Sequence, residues 1–197
     1  MPHFPETEIP SLRRFNGQVI AQALALVAEH VLAGRPPYAG LVGSHIRHVI
    51  EHYEALLSPA VPGIVDYDRR PRDRAVERSA SLARSRLAAL SERLNDAAGL
   101  DLDATVSIHG QVGLAGELGF VVTSTIGREL VFVASHAVHH FALLHAHCLQ
   151  HGIPTGDNFG KAPATVAHER NRDLAQVTAS QPIPRKEMTC PTLLRAA

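Results

Sequence analysis

The chain has 197 residues, of which 45% are hydrophobic, and its 19 basic and 19 acidic side chains give a formal net charge of zero. This length and apolar content suit one domain with a buried core, whereas a neutral chain gives no electrostatic reason to expect a nucleic-acid partner. No apolar stretch reaches the roughly 18 residues that a membrane span needs. The two cysteines lie far apart, as in proteins of a reducing compartment. We therefore expect a cytoplasmic protein that binds neither nucleic acid nor a membrane.

Hydrophobic residues recur at three- and four-residue spacing in four segments, which predicts helices over residues 17–33, 38–57, 74–98 and 125–150. Asp73 stands at the N-cap position of the third predicted helix, and Gly99 stands at its C-cap position. The fourth predicted helix is apolar nearly all round, so we expect it to be the buried helix. Residues 65–73 carry many charges and are interpreted as a polar loop outside the core.

The period changes between residues 103 and 123, where β-branched residues flank a glycine-rich middle, and this pattern predicts a β-hairpin. Pro163 suits the start of a last helical turn, and the pattern ends at about Asp173. We therefore predict a mainly all-α fold, a four-helix bundle with a small β-hairpin insertion between its third and fourth helices. One domain is expected over residues 1–172, with a loosely docked tail over residues 173–197.

Histidine is unusually frequent, with 13 residues, and it clusters on two of the predicted helices. On the fourth predicted helix, His136 and His140 are four residues apart, so their side chains stand on one face and can share a metal ion. His139 points to another side of the helix and should not join them. Because two imidazoles do not complete a stable zinc, nickel or iron site, a third ligand must come from another element.

The second predicted helix offers three candidates for this ligand, His45, His48 and His52, on one flank of its apolar stripe. Periodicity does not choose among them, although it places His45 and His52 nearer the stripe than His48. The alternative interpretation is ordinary core or surface histidines. Two clusters that face one interior favour a shared metal site, because several imidazoles in an apolar interior are costly without partners. The histidines outside both clusters are interpreted as surface residues: His30, His109, His151 and His168.

Five stretches along the chain carry a resemblance to a known family: LVGSHIRH (41–48), YDRRPRD (67–73), GREL (127–130), HAVHH (136–140) and FGKAPAT (159–165). In this order they resemble the DinB/YfiT-like superfamily, and they look like a bacterial branch distinct from its thiol transferases. The resemblance implies a four-helix bundle with one divalent metal ion, zinc or nickel, held by one histidine of the second helix and two of the fourth. Aligned on that pattern, the ligands are His48, His136 and His140. The surplus histidines depart from the pattern and remain runners-up: His45, His52 and His139.

Three neutral imidazoles leave coordination positions open, which is typical of a catalytic metal rather than a closed structural one. The resemblance implies a metal-dependent enzyme, either a thiol-dependent transferase or a hydrolase. Its substrate would be a small molecule, with a low-molecular-weight thiol as one candidate. Glu129 lies two turns before His136 on the same face and is the candidate catalytic base or orienting acid.

The charged loop supplies further candidates for a site. Asp66 and Asp68 are candidate bases, and Arg69, Arg70 and Arg72 could hold an anionic substrate such as a carboxylate. The plainer interpretation is an ionic loop whose acids and arginines pair with one another.

A non-catalytic metal-binding or stress-associated module is the alternative function. It would act as a homodimer, because the first and fourth predicted helices leave more apolar surface than a small monomer usually exposes. An open cavity lined by Tyr67 or Phe159 would favour the enzyme. A metal sealed by a fourth protein ligand, such as His52 or Glu129, would favour the module.

Overall fold

The structure is a computed structural model that describes residues 9–32, 34–96 and 100–179. These residues form six helices and three strands, so the fold is mainly helical with a small sheet, as predicted. In chain order the elements are α1 (Ile9–Glu29), α2 (Leu41–Leu57), β1 (Ile64–Asp66), α3 (Arg74–Arg78), α4 (Ala80–Asn95), β2 (Thr105–Val112), β3 (Leu118–Thr125), α5 (Ile126–Gln150) and α6 (Pro163–Ala179). None of the helices in the described ranges is both long and apolar enough to cross a membrane.

The four longest helices of the first 162 residues pack side by side around one core. Helix α1 contacts α4 and α5, and helix α2 contacts the same two helices from the other side. Tyr53 of α2 and Phe141 of α5 are fully buried between them, with aliphatic residues of all four helices around them. The packing of α2 against α5 is what brings the two histidine clusters together.

Helix α1 begins and ends earlier than the predicted range of residues 17–33. Its first turns are helical because Leu12 and Phe15 pack against the core and because Asn16, which is fully buried, accepts a hydrogen bond of 2.9 Å from Tyr53. The helix ends at Glu29, since the side chains beyond it, Val31 and Leu32, are exposed and no packing extends the helix.

The predicted third helix is in fact two helices, α3 and α4. Asp73 caps α3 as predicted, with its side chain accepting a hydrogen bond from the backbone N of Ala75. The chain then leaves the helical conformation at Ser79, whose hydroxyl caps α4 by accepting from the backbone N of Leu82. Helix α4 ends at Asn95, and the predicted C-cap Gly99 lies outside the described residues.

Helix α5 has the predicted bounds but not the predicted burial. Thr125 is its N-cap, and its side chain accepts a hydrogen bond of 3.3 Å from the backbone N of Arg128. Val131, Leu143 and Leu149 are about half exposed or more, so the outer face of α5 is open. The expectation of a helix buried on every side was wrong, because α5 has neighbours on one side of the core only.

The predicted hairpin is confirmed, and the structure adds a strand to it. Strands β2 and β3 pair antiparallel, with Ile108 opposite Val122. Strand β1 pairs parallel with β2, with Val65 opposite Ile108. The prediction that residues 65–73 lie outside the core was wrong for Val65, which is fully buried. The strand escaped prediction because it is three residues long and charged residues follow it.

The chain divides into two compact units, Met1–Ala162 and Pro163–Ala197, and α6 belongs to the second. Helix α6 begins at Pro163, as predicted, but it runs for 17 residues rather than one turn. It therefore crosses the predicted start of the tail at Asp173, because residues with good helix propensity continue there without an apolar stripe. The remainder of the predicted tail, residues 180–197, lies outside the described residues.

Candidate metal centre

Three histidines on two packed helices turn their ring nitrogens toward one point. Nε2 of His48, on α2, lies 2.8 Å from Nε2 of His136, on α5. Nε2 of His140, one turn further along α5, lies 3.2 Å from the same atom of His136. Among the described residues, these three histidines form a group whose candidate ligand atoms all lie within 4.8 Å of one another, close enough to hold a metal ion.

The spacing of these nitrogens fits a divalent ion. Four-coordinate zinc, with bonds of about 2.0–2.1 Å to imidazole, separates neighbouring nitrogens by about 3.3 Å. The separations of 2.8 and 3.2 Å observed here would need to open by a few tenths of an ångström. Imidazole nitrogen suits zinc, nickel, copper and iron, so the donor set agrees with a transition metal and leaves its identity open.

His45 stands behind one of the three rings rather than among them. Its Nδ1 lies 2.7 Å from Nδ1 of His140, on the side of that ring opposite Nε2. One ring must donate and the other accept, which fixes the orientation of His140 and leaves its Nε2 directed at the other two histidines. His139 is exposed and meets the ring of His140 edge-on at 5.7 Å, so it lies outside the group, as predicted.

His52 also serves a neighbour rather than the group. It is 6% exposed, and its Nδ1 donates a hydrogen bond of 2.8 Å to the backbone O of His48. Its ring stacks against Tyr67 with ring centroids 5.5 Å apart. The helical wheel placed His45 and His52 nearest the apolar stripe, and that ranking did not identify the converging ring. A helical wheel gives only the angle of a residue around the helix axis. The position of His48 along that axis is what places its ring against His136.

Arg70, from the loop after β1, reaches the back of two of these imidazoles. Its Nη1 lies 2.8 Å from Nδ1 of His48 and 2.9 Å from Nδ1 of His52. Its Nε donates to the backbone O of Tyr67, which holds the guanidinium in place. Arg70 is therefore a residue of the site that the sequence presented only as one arginine in a charged loop.

The other charged residues of the loop shape the loop itself. Asp66 accepts hydrogen bonds from the backbone N atoms of residues 68 and 69, and Asp68 accepts one of 2.7 Å from the backbone N of Gln111. The side chain of Arg69 is 89% exposed and pairs with Asp66. Arg72 adopts a positive φ of 50° at the turn before α3. The structure thus brings Arg70 to the histidines and gives the neighbouring acids structural partners.

Glu129 is buried beside the site and is fully engaged. Its exposure is 1%, and it accepts hydrogen bonds from Tyr67 (2.8 Å), Ser124 (2.7 Å) and Arg128 (2.9 Å). Tyr67 also packs against Phe132, one turn before His136, with ring centroids 5.2 Å apart. Glu129 therefore positions the aromatic ring that covers His52, and its role as a catalytic base stays a prediction.

Burial and mutual repulsion keep the histidine rings neutral. Desolvation, followed by the neighbouring charges of His52 and Arg70, lowers the pKa of His48 to about 2. Desolvation, followed by His136 and His45, lowers the pKa of His140 to about 4. Desolvation also lowers the pKa of His136, with His139 next in importance. Neutral imidazole is the form that binds a metal ion, so these lowered pKa values agree with a metal site at neutral pH.

A cavity of about 1050 Å³ lies beside this group, between the end of α2, the loop after β1 and the hairpin. Arg70 lines the cavity and contacts the histidines, so it connects the two. Glu51, one residue before His52, also lines it. Neither Tyr67 nor Phe159 belongs to its lining, and Phe159 is buried against Phe141 with ring centroids 5.2 Å apart.

One histidine interpreted as a surface residue is buried. His30 is 6% exposed, its Nδ1 lies 2.8 Å from the backbone O of Leu26, and its ring stacks on His147 at 5.8 Å. The prediction failed because His30 follows the last turn of α1, where a residue can still pack against the adjacent end of α5.

Comparison with known proteins adds one distant similarity. The chain is 25% identical over 119 residues to FK506-binding protein 5 of Rhizopus delemar. The aligned part is 60% of this chain and 31% of that protein, so the chain spans less than a third of the relative's length. No family model matches the chain. No solved structure matches it either.

Proposed function

We propose that this chain is a DinB/YfiT-like metal-binding protein in which α1, α2, α4 and α5 are the four-helix bundle. One divalent ion, zinc or nickel, would be held by His48, His136 and His140. The observation that carries this proposal is the convergence of three Nε2 atoms from two packed helices. Neutral rings and the support of His140 by His45 agree with it.

The arrangement supports a metal-dependent enzyme, a thiol-dependent transferase or a hydrolase. A divalent ion bound by three imidazoles would supply a Lewis acid with open positions for water or a substrate thiol. Within this chain, His45 orients His140, and the ring of Tyr67 stacks on that of His52. Glu129 accepts a hydrogen bond from the hydroxyl of Tyr67 and is the acid closest to this ring. The substrate would be a small molecule, with a low-molecular-weight thiol as one candidate.

Elemental analysis of protein purified without a histidine tag tests the metal site. We expect about one equivalent of zinc or nickel in the unmodified chain, and less than a tenth of that in His136→Ala and His140→Ala, because two imidazoles bind too weakly to retain it. His48→Ala should lose the ion as well. His139→Ala is the matched control, since that side chain is exposed on the same helix. Retention of metal by all three ligand variants would remove the site.

A non-catalytic homodimeric module is the second candidate, and the exposed apolar side chains of α5 favour it. Val131, Leu143 and Leu149 are each 49–69% exposed on that helix. Such residues on one helix suit contact with a second copy of the chain. Light scattering at micromolar concentration measures the assembly, and a thiol-transfer assay on the metal-loaded protein separates the two functions. Turnover that depends on the ion supports the enzyme, whereas a dimer with no turnover supports the module.

A further inference from the structure

Arg70 directs a donor at an atom that does not accept it. Nδ1 of His52 lies 2.8 Å from the backbone O of His48, and because a carbonyl oxygen only accepts, this nitrogen carries the proton. Nη1 of Arg70 lies 2.9 Å from the same Nδ1, so two N–H groups face each other. This contact is therefore not a hydrogen bond, and it leaves donor capacity of the guanidinium unused.

Arg70 forms no direct ion pair among the described residues, although the negative charges of Glu51 and Asp68 lie near its guanidinium. In the parts of the chain that the structure describes, no carboxylate oxygen lies within ion-pair distance of its guanidinium. The nearest acids are committed elsewhere: Glu51 accepts from Arg47 (3.2 Å) and from the backbone N of Asp73 (2.7 Å), and Asp68 accepts from the backbone N of Gln111. A half-buried arginine without a directly paired carboxylate keeps donors with which it can bind an anion.

The cavity beside Arg70 indicates the size and the chemistry of the ligand that carries the anionic group. Its volume of about 1050 Å³ accommodates a small molecule, and its wall includes the apolar side chains of Val61, Ile64 and Phe120. Four acids also line the cavity, and each carboxylate has a partner: Glu54 pairs with Arg86 at 2.7 Å, Glu51 with Arg47 at 3.2 Å, Asp66 with Arg69 at 3.5 Å, and Asp68 accepts from the backbone N of Gln111 at 2.7 Å. These carboxylates repel a ligand with several negative charges, whereas one carboxylate on an apolar body matches both the arginine and the wall.

We propose that Arg70 anchors a small-molecule monocarboxylate with an apolar body, which occupies the cavity between α2, the loop after β1 and the hairpin. The carboxylate accepts two hydrogen bonds from the guanidinium, and the apolar body lies against Val61, Ile64 and Phe120. Because Arg70 also contacts His48, the carboxylate end of the ligand is the end nearest the histidines. The identification of this ligand as the substrate of the metal site rests on the proposed function.

Calorimetric titration of the full chain with 3-phenylpropionate tests the proposal. We expect saturable binding, at least tenfold tighter than that of 3-phenylpropan-1-ol, which has the same body without the charge. This comparison uses the unmodified protein and does not depend on the folding of a variant. Equal affinity for the acid and the alcohol would overturn the role of the arginine. Tighter binding of inorganic phosphate than of 3-phenylpropionate would overturn the choice of a monocarboxylate.

Three variants of the same loop locate the anchor. Arg70→Gln should weaken binding of 3-phenylpropionate about tenfold or more, whereas Arg72→Gln should leave it unchanged, because that side chain is exposed and does not line the cavity. Arg70→Lys keeps the charge but not the paired donors, so its affinity for 3-phenylpropionate should lie between the affinities of the other two variants. Equal losses in Arg70→Gln and Arg72→Gln would contradict the proposal. Each titration is repeated after chelation, so that the anion site is tested apart from the metal site. If the chain binds no metal but still binds the acid through Arg70, only the metal proposal is refuted.

Discussion

The hydroxyl of Tyr67 donates a hydrogen bond of 2.8 Å to Oε2 of Glu129. Tyr67 directly follows β1, and Glu129 lies in the first turn of α5, so this bond fixes the charged loop against the helix that carries two of the three converging histidines. The same phenol ring stacks on His52 of α2. One aromatic residue and one buried carboxylate thus connect three separate segments of the chain: the charged loop, α2 and α5.

Tyr67→Phe should lower the free energy of unfolding by about 1.5–3 kcal/mol, because it removes a donor from a buried carboxylate. Tyr38→Phe is the matched control: its hydroxyl donates at 3.1 Å to a neutral acceptor, the backbone O of Val76, and its loss should cost about 0.5–1.5 kcal/mol. Urea denaturation measures both. A loss in Tyr67→Phe no larger than that in Tyr38→Phe would show that the contact with Glu129 adds nothing.

Gly43→Ala should destabilise the chain, although alanine usually favours a helix by about 1 kcal/mol over glycine. A Cβ atom at this position of α2 would lie 1.9 Å from the backbone O of Glu77, so α2 and α3 would have to separate. Gly17→Ala in α1 is the control, since nothing lies within 4 Å of its added Cβ. We expect thermal unfolding to show a lower Tm for Gly43→Ala and an unchanged or higher Tm for Gly17→Ala. A higher Tm for both variants would mean that the two helices do not approach so closely.

His45→Ala should keep the proposed metal but bind it about 10–100-fold more weakly, because it removes the partner of Nδ1 of His140. Competition with a coloured chelator measures the affinity. His139→Ala, on the exposed side of α5, should bind as the unmodified chain does. If His45→Ala loses the ion as completely as His140→Ala, then His45 is a ligand and not a support.

The metal-free protein should lose stability as the pH falls below about 6.5, the ordinary pKa of histidine. The pKa of His48 is lowered to about 2 and that of His140 to about 4, so between these values and 6.5 the unfolded chain binds more protons than the folded one. The stability is therefore complete above pH 6.5 and declines toward pH 4. Urea denaturation in the presence of a chelator at pH 7.5, 6.5 and 5.5 measures this decline.

The matched variant for the pH series is His140→Asn, which removes one of the depressed groups and should show a shallower decline. A stability that is constant, or that rises, between pH 6.5 and 5.5 would mean that the folded histidines titrate as they do in the unfolded chain.

The sequence located two of the three converging histidines because their spacing alone places His136 and His140 on one face of a helix. Periodicity did not identify the third histidine among the three candidates on α2. That choice depends on which turn of α2 lies opposite His136 when the two helices pack. His48 followed only from the family resemblance. The hairpin and the N-cap Asp73 were predictable because their signals are local.

The features that escaped prediction depend on contacts between distant segments. Val65 is buried only because β1 finds β2 after a connection of about forty residues, and a three-residue strand carries too short a pattern to be recognised. The contact of Arg70 with His48 has the same origin. Ser79 differs, since serine is a favourable N-cap residue and its signal is local, but residues 74–98 were predicted as one helix.

The two helices that carry the converging histidines are far apart along the chain, since His136 stands 88 positions after His48. An ion shared by these residues would act as a removable cross-link that closes a long loop, and long loops are the ones whose closure most restricts an unfolded chain. Global unfolding would then require α2 to part from α5 and release the ion. The lifetime of the folded state, and with it resistance to proteases, would accordingly follow the supply of metal even where the equilibrium stability of each helix is unchanged.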